Sequence, residues 1–145
     1  MENLKICLVD DDHEDRELFK DAFDELVSGN ELMTFDGGLE LLDYLNRCGQ
    51  IPDIVFLDLN MPVMSGFETL RRIRENDCWK SLSVAIYSTS SAETDIEKAL
   101  IEGANIYIKK PSSFGCLKDV IGKVMKTNWQ YHASELSHET FLLVV

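Results

Sequence analysis

The sequence predicts an α/β domain, a doubly wound parallel sheet of five strands with five helices on its two faces. Three observations predict it. Five short apolar runs alternate with five segments of helical period along one chain. The third run, Ile54-Val55-Phe56-Leu57, is apolar at every position, as in a strand covered on both faces. No linker or low-complexity stretch interrupts the alternation, so the strands belong to one sheet.

The elements follow in order. Ile6-Cys7-Leu8-Val9 is the first strand, and Leu18, Phe19, Ala22, Phe23 and Leu26 fall on one face of the helix behind it. Glu31 to Phe35 is a second, weaker strand. Leu39, Leu42 and Leu45 mark the next helix, with Asp36 as candidate cap. After the third strand, Ser65-Gly66-Phe67-Glu68 has the S-x-x-E spacing of a capping box, and Phe67, Leu70 and Ile73 continue the stripe. Val84-Ala85-Ile86-Tyr87 is the fourth strand. Ser90 and Glu93 repeat the capping spacing before a helix through Ile96, Ala99 and Leu100, which Gly103 is expected to stop. Ile106-Tyr107-Ile108 is the fifth strand, and Phe114, Leu117, Val120, Ile121 and Val124 stripe the last helix.

From about Asn128 the alternation ends. The expected organisation is therefore a domain over 1–127 and an extension over 128–145 without an output domain. The extension, ending Phe141-Leu142-Leu143-Val144-Val145, reads most simply as a short packed element or a loose end.

Composition narrows the function. A chain of 145 residues with 45% hydrophobic side chains can bury a core without staples. Its 26 acidic and 14 basic residues leave a net charge of −12, which repels phosphate backbones and argues against direct nucleic-acid binding. Cys7, Cys48, Cys78 and Cys116 lack metal or redox spacing and read as reduced thiols. With no signal-peptide pattern and no membrane span, the expected location is the cytoplasm.

Ligands of open α/β sheets bind beyond the carboxyl ends of the strands. Here the first strand is followed by Asp10, Asp11 and Asp12, and the third by Asp58. Ser88 and Thr89 follow the fourth, and Lys109, Lys110 and Pro111 the fifth. Carboxylates held close repel one another unless a cation or proton joins them. Oxygen ligands suit Mg²⁺, which takes one or two carboxylates together with phosphate oxygens. A carboxylate can also attack phosphorus to form an acyl phosphate, with a metal and an ammonium neutralising the equatorial oxygens. Taken singly, an Asp at a strand end is a cap or turn former, a Ser-Thr-Ser-Ser run a cap, and a Lys-Pro pair a loop. Their conjunction is the signal.

Val9-Asp10-Asp11-Asp12, Asp58-Leu59-Asn60-Met61-Pro62-x-Met64-Ser65-Gly66, Ser88-Thr89-Ser90 and Gly103-Ala104-Asn105-x-Tyr107-x-x-Lys110-Pro111 resemble the receiver domains of two-component response regulators. The likeness covers about residues 4 to 127. The stretch Ser90 to Ile96 and Trp129 are similar to stand-alone regulators that partner bacterial phytochromes.

The resemblance implies the CheY-like, flavodoxin-like strand order 2-1-3-4-5. It implies Asp58 as phosphoacceptor, Asp11 as direct ligand of Mg²⁺ or Mn²⁺, Asp10 as holder of a metal-bound water, and the Asn60 carbonyl as a further ligand. Ser88 and Tyr107 take the switch positions. Lys110 takes that of the phosphoryl-contacting lysine, and Pro111 would follow a cis peptide bond. Ser88 departs from the commoner Thr by one methyl, and Lys109 beside Lys110 leaves a choice of amine. Lys110 is preferred because it directly precedes the proline, while strand alternation turns Lys109 to another face.

The implied partners are a histidine kinase or histidine phosphotransferase and a downstream protein reached through helix four, strand five and helix five. A homodimer is left open. Chemistry would be limited to self-phosphorylation from phosphodonors and autodephosphorylation. A phosphohydrolase of haloacid-dehalogenase type would need an acid two residues past its nucleophile, where this chain has Asn60. A flavodoxin-like flavin binder would need a Ser/Thr/Gly loop after strand one, where three aspartates stand. A degenerate receiver would be expected to lack the acceptor, an acid or the lysine, and all are present. His13, His132 and His138 read as surface residues, and Trp79 as the cover of an edge.

Overall fold

Side chains alternate across a strand, so each strand of this chain feeds two cores. The computed structural model describes residues 4–26, 29–47, 49–126 and 142–143. In it β1 (Lys5–Val9), β2 (Glu31–Phe35), β3 (Ile54–Leu57), β4 (Ser83–Ser88) and β5 (Ile106–Lys109) alternate with α1 (His13–Leu26), α2 (Gly38–Arg47), α3 (Gly66–Glu75), α4 (Glu93–Ile101) and α5 (Phe114–Lys126). A short 3₁₀ turn, Asp77–Trp79, precedes β4.

The order is β2-β1-β3-β4-β5, every neighbouring pair parallel, as the sequence predicts. A two-residue strand β6 (Leu142–Leu143) adds to the far edge. It runs parallel to β5, with Leu142 opposite Tyr107 and Leu143 opposite Ile108. The sequence left this segment unassigned; two residues are too few to show a period. The rest of the extension, including Trp129, His132 and His138, lies outside the described residues.

One core joins Cys7, Val9, Val55, Leu57, Val84, Ile86 and Tyr107 to apolar residues of α2, α3 and α4. The other joins Ile6, Leu8, Ile54, Phe56, Ala85, Tyr87, Ile106 and Ile108 to α1 and α5. The alternation expected of a sheet covered on both faces is complete. Trp79 is buried within the first core rather than laid over an edge.

The predicted caps divide. Ser65 caps α3, its Oγ accepting from the Glu68 N–H at 3.2 Å, while the Glu68 carboxylate is taken by Arg71 and Arg72. Gly103 ends α4 at φ +102°, a conformation L side chains resist. Asp36 sits two residues ahead of α2 and pairs with Arg16 at 3.2 Å. Ser90 does not cap α4, which begins at Glu93 behind Ala92. Its oxygen accepts from the Ala92 N–H at 3.2 Å, one residue short of the helix, and its hydroxyl donates to Asp95 at 2.6 Å.

Arg74 fastens the two strands that carry the fourth and fifth site segments. Its guanidinium donates to the Gly103 carbonyl at 2.8 Å, the Leu82 carbonyl at 2.7 Å and Asn105 Oδ1 at 2.7 Å. Asn105 Oδ1 also accepts from the Val84 N–H, so one side chain sets the starts of β4 and β5. Hydrogen bonds to a charged group are the costly ones to lose. Arg74→Ala is expected to cost about 2–4 kcal/mol in urea unfolding, with the slope unchanged.

Candidate functional site

Sheet register brings the site together. Val9 lies opposite Leu57 and Ser88 opposite Lys109, so Asp10 and Asp58 leave adjacent strands at one level. Main-chain bonds carry the ladder past the strand ends: Asp58 N–H to the Val9 carbonyl at 3.0 Å, and Lys110 N–H to the Ser88 carbonyl at 2.7 Å. The first residue past β3 and past β5 is therefore tied into the ladder.

The acidic triplet after β1 splits into different jobs. Asp12 caps α1, its Oδ1 accepting from the N–H groups of Glu14 at 2.9 Å and Asp15 at 3.2 Å. Asp10 is fully buried and accepts from the Asp12 N–H at 3.0 Å. Asp11 is exposed at the mouth. Asp10, Asp11 and Asp58 can each offer a carboxylate oxygen, all within 4.8 Å of one another. Three oxygen donors, one of them open to solvent, fit a hard divalent cation that keeps part of its water.

Lys110 supplies the opposing charge. Its ammonium lies 2.8 Å from Asp10, 2.8 Å from Asp15 and 3.7 Å from Asp58. It also sits 5.4 Å from the centre of the Tyr87 ring, which stands edge-on to Phe19. Burial alone would favour the neutral amine, but hydrogen bonds to Asp10 and Asp15 and the charges of Asp58 and Asp10 outweigh it. The ammonium is held above its ordinary range. Lys110, not Lys109, enters the pocket. Asp15 and Tyr87 are the site residues that sequence reasoning missed. Asp15 was hidden in an acidic run that reads as a solvated face, although it lies one helical turn beyond Asp11 and Asp12.

Asp58 itself holds its proton more tightly than an exposed carboxyl would. Burial and the nearby Asp10 raise its carboxyl from 3.8 to about 6, against the lowering effect of Lys110 and the N–H groups of Leu59 and Asn60. Asn60 is exposed in the loop after β3. That loop is pinned by Gly66, whose N–H donates to the Leu59 carbonyl at 2.8 Å. A Cβ at Gly66 would overlap the Asp58 carbonyl oxygen and lie 2.7 Å from Leu59 Cα, so only glycine lets α3 start so close to the Asp58 backbone.

On β4 and β5, Ser88 is fully buried, its Oγ accepting from the Ser90 N–H at 3.1 Å. Tyr107 is also fully buried, its hydroxyl donating to the Ser90 carbonyl at 2.8 Å and lying within reach of Ser88. Burial pushes the phenol up from its ordinary value. Ser88 and Tyr107, the residues expected at the switch positions, thus lie within reach of each other. One expectation is corrected: among the described residues every peptide bond is trans, Lys110–Pro111 included. Trans is the lower-energy form even before proline, and with it Lys110 still reaches Asp10 and Asp58.

The raised carboxyl of Asp58 has a measurable consequence. Its folded value of about 6 exceeds the ordinary 3.8, so the folded state holds the proton more tightly. The stability this contributes is fully present below about pH 4 and lost as pH rises through about 6. In EDTA, Asp58→Asn is expected to match the wild type near pH 4 and to exceed it above pH 7, by up to about 3 kcal/mol. Urea unfolding across that range measures the difference.

Comparisons with known proteins agree with this geometry. The family model described as the response regulator receiver domain matches residues 6–122. The chemotaxis protein CheY-3 of Vibrio cholerae is 33% identical over 124 residues, covering 86% of this chain and 93% of that protein. The phosphorylated cyanobacterial phytochrome response regulator RcpA is 29% identical with a TM-score of 0.79, over 86% of this chain and 93% of that one. The Mn²⁺-bound form of response regulator Rcp1 is 26% identical with a TM-score of 0.75, over 85% and 92%. No helix among the described residues is long and apolar enough to cross a membrane. With its fold, its sheet-edge residues and its relatives in agreement, the chain belongs to the response regulator receiver domain family.

Proposed function

We propose that this protein is a single-domain response regulator that accepts a phosphoryl group on Asp58 from a histidine kinase or histidine phosphotransferase. The observation that carries this reading is the gathering of Asp10, Asp11 and Asp58 within 4.8 Å, with the Lys110 ammonium beside them. Mg²⁺ or Mn²⁺ would be held by Asp11, Asp58 and the Asn60 carbonyl, with Asp10 holding a metal-bound water. When bound, the metal supplies positive charge for the phosphoryl oxygens. The Asp58 carboxylate attacks phosphorus, forming the O–P bond as the P–N bond to the donor imidazole breaks, and the imidazole takes up a proton. Lys110 offers its ammonium to a phosphoryl oxygen.

Output is proposed to pass through Ser88 and Tyr107. A phosphoryl oxygen gives the Ser88 hydroxyl a new acceptor, and the inward Tyr107 seen here is the arrangement that phosphorylation would favour. The shift is limited by the free-energy difference created between the inward and outward rings. It would reshape the surface of α4, β5 and α5 for a downstream protein.

Intact-mass measurement with acetyl phosphate tests the acceptor. One added phosphoryl group is expected with Mg²⁺ and none in EDTA or in Asp58→Asn; its persistence in that variant would overturn the assignment. Ser88→Ala is expected to accept phosphate at Asp58 yet lose the NMR shifts that beryllofluoride induces over residues 92–125 of the wild type. Shifts confined to the Asp58 pocket in the wild type would exclude this output face.

A further inference from the structure

We infer that Asp15 is a positioning residue that holds the Lys110 ammonium off Asp58 and so keeps the acceptor carboxylate open to a divalent cation. The inference rests on the proposed function and adds a residue to its site.

Lys110 does not favour its nominal partner. It is within hydrogen-bond distance of Asp10 and Asp15, both at 2.8 Å, while Asp58 lies at 3.7 Å, beyond a good N–H···O contact. The Tyr87 ring closes another side at 5.4 Å. The ammonium is thus held between two carboxylates and an aromatic face, close enough to lower Asp58's isolation but not bonded to it. Asp15 reaches this position from the first turn of α1, which Asp12 fixes by accepting from the Asp15 N–H itself at 3.2 Å. Its side chain is about one-third exposed, so substitution there opens no cavity.

The consequence follows from Coulomb repulsion. An ammonium bonded directly to Asp58 would oppose a second cation at the same carboxylate. Replacing Asp15 by a neutral amide removes one anchor, and Lys110 then swings toward the strongest free acceptor nearby, Asp58. Loss of the negative charge and arrival of the positive one act in the same direction. Both weaken the metal.

Calorimetric titration with Mg²⁺ alone tests this in the wild type, Asp15→Asn, Lys110→Ala and the double variant. Asp15→Asn is expected to weaken Mg²⁺ binding by about tenfold, the order expected for rearranged charges in a partly buried site. Asp15→Glu is expected to restore most of it. In the Lys110→Ala background the effect of Asp15→Asn should shrink to about twofold or less, because no ammonium remains to be misplaced. An equal or larger effect there would reduce Asp15 to a plain charge and overturn the inference, as would unchanged affinity in Asp15→Asn. If the wild type binds no Mg²⁺, the functional reading falls with it; if it binds and Asp15→Asn does not matter, the inference alone falls. A crystal structure of Asp15→Asn gives a second reading that needs no metal. Lys110 Nζ should close on Asp58 from 3.7 Å to hydrogen-bond distance, and an unmoved ammonium would contradict the proposal.

Discussion

Parallel strands that end at one level deliver whatever follows them to the same place, and in this chain they deliver carboxylates. Asp10 and Asp58 leave β1 and β3 side by side, Asp11 stands at the mouth, and Asp15 looks in from α1. Lys110 is the cation among them. Burial is the main cause that raises the Asp58 carboxyl. The imbalance holds the Lys110 ammonium protonated. It also creates an attraction for a further cation that no hydrophobic packing would supply. A site of this kind costs stability in the metal-free protein, and the two apolar cores on either side of the sheet offset that cost.

The rigidity of the frame decides where the charges sit. Gly66 lets α3 begin against the backbone of Asp58, and Arg74 ties the starts of β4 and β5 through Asn105. These contacts use no pocket side chain, yet they hold the segments that carry Asp58, Ser88 and Lys110. Val63, at φ 68° in the loop after β3, carries a conformation that costs a β-branched residue about 1–2 kcal/mol. The loop beside Asp58 is thus strained where the helix behind it is closely packed.

Much of this was legible in the sequence because periodicity is a strong signal in a doubly wound sheet. Ile54 to Leu57 reads as a strand buried on both faces, the order of polar residues after each strand gave a few candidates, and the resemblance picked Asp10, Asp58, Ser88 and Lys110 from them. What was not legible has several causes. Asp15 sits 95 residues from the ammonium it binds, and nothing local separates it from its acidic neighbours. Ser90 has the spacing of a capping residue, but its oxygen accepts from the Ala92 N–H ahead of the helix while its hydroxyl donates to Asp95. The expected cis bond before Pro111 rested on resemblance alone, and the observed bond is trans. The sixth strand is two residues long, and its pairing is set by the edge of β5 rather than by any pattern of its own.

The central claim is that this edge of the sheet is built to bind a divalent cation against the acceptor carboxylate. Anomalous diffraction from crystals soaked in Mn²⁺ tests it most directly. A single peak is expected between the carboxylates of Asp11 and Asp58, with the Lys110 ammonium still on the side of Asp10 and Asp15. Absence of that peak at saturating Mn²⁺, or a Lys110–Asp58 ion pair standing in its place, would contradict the account.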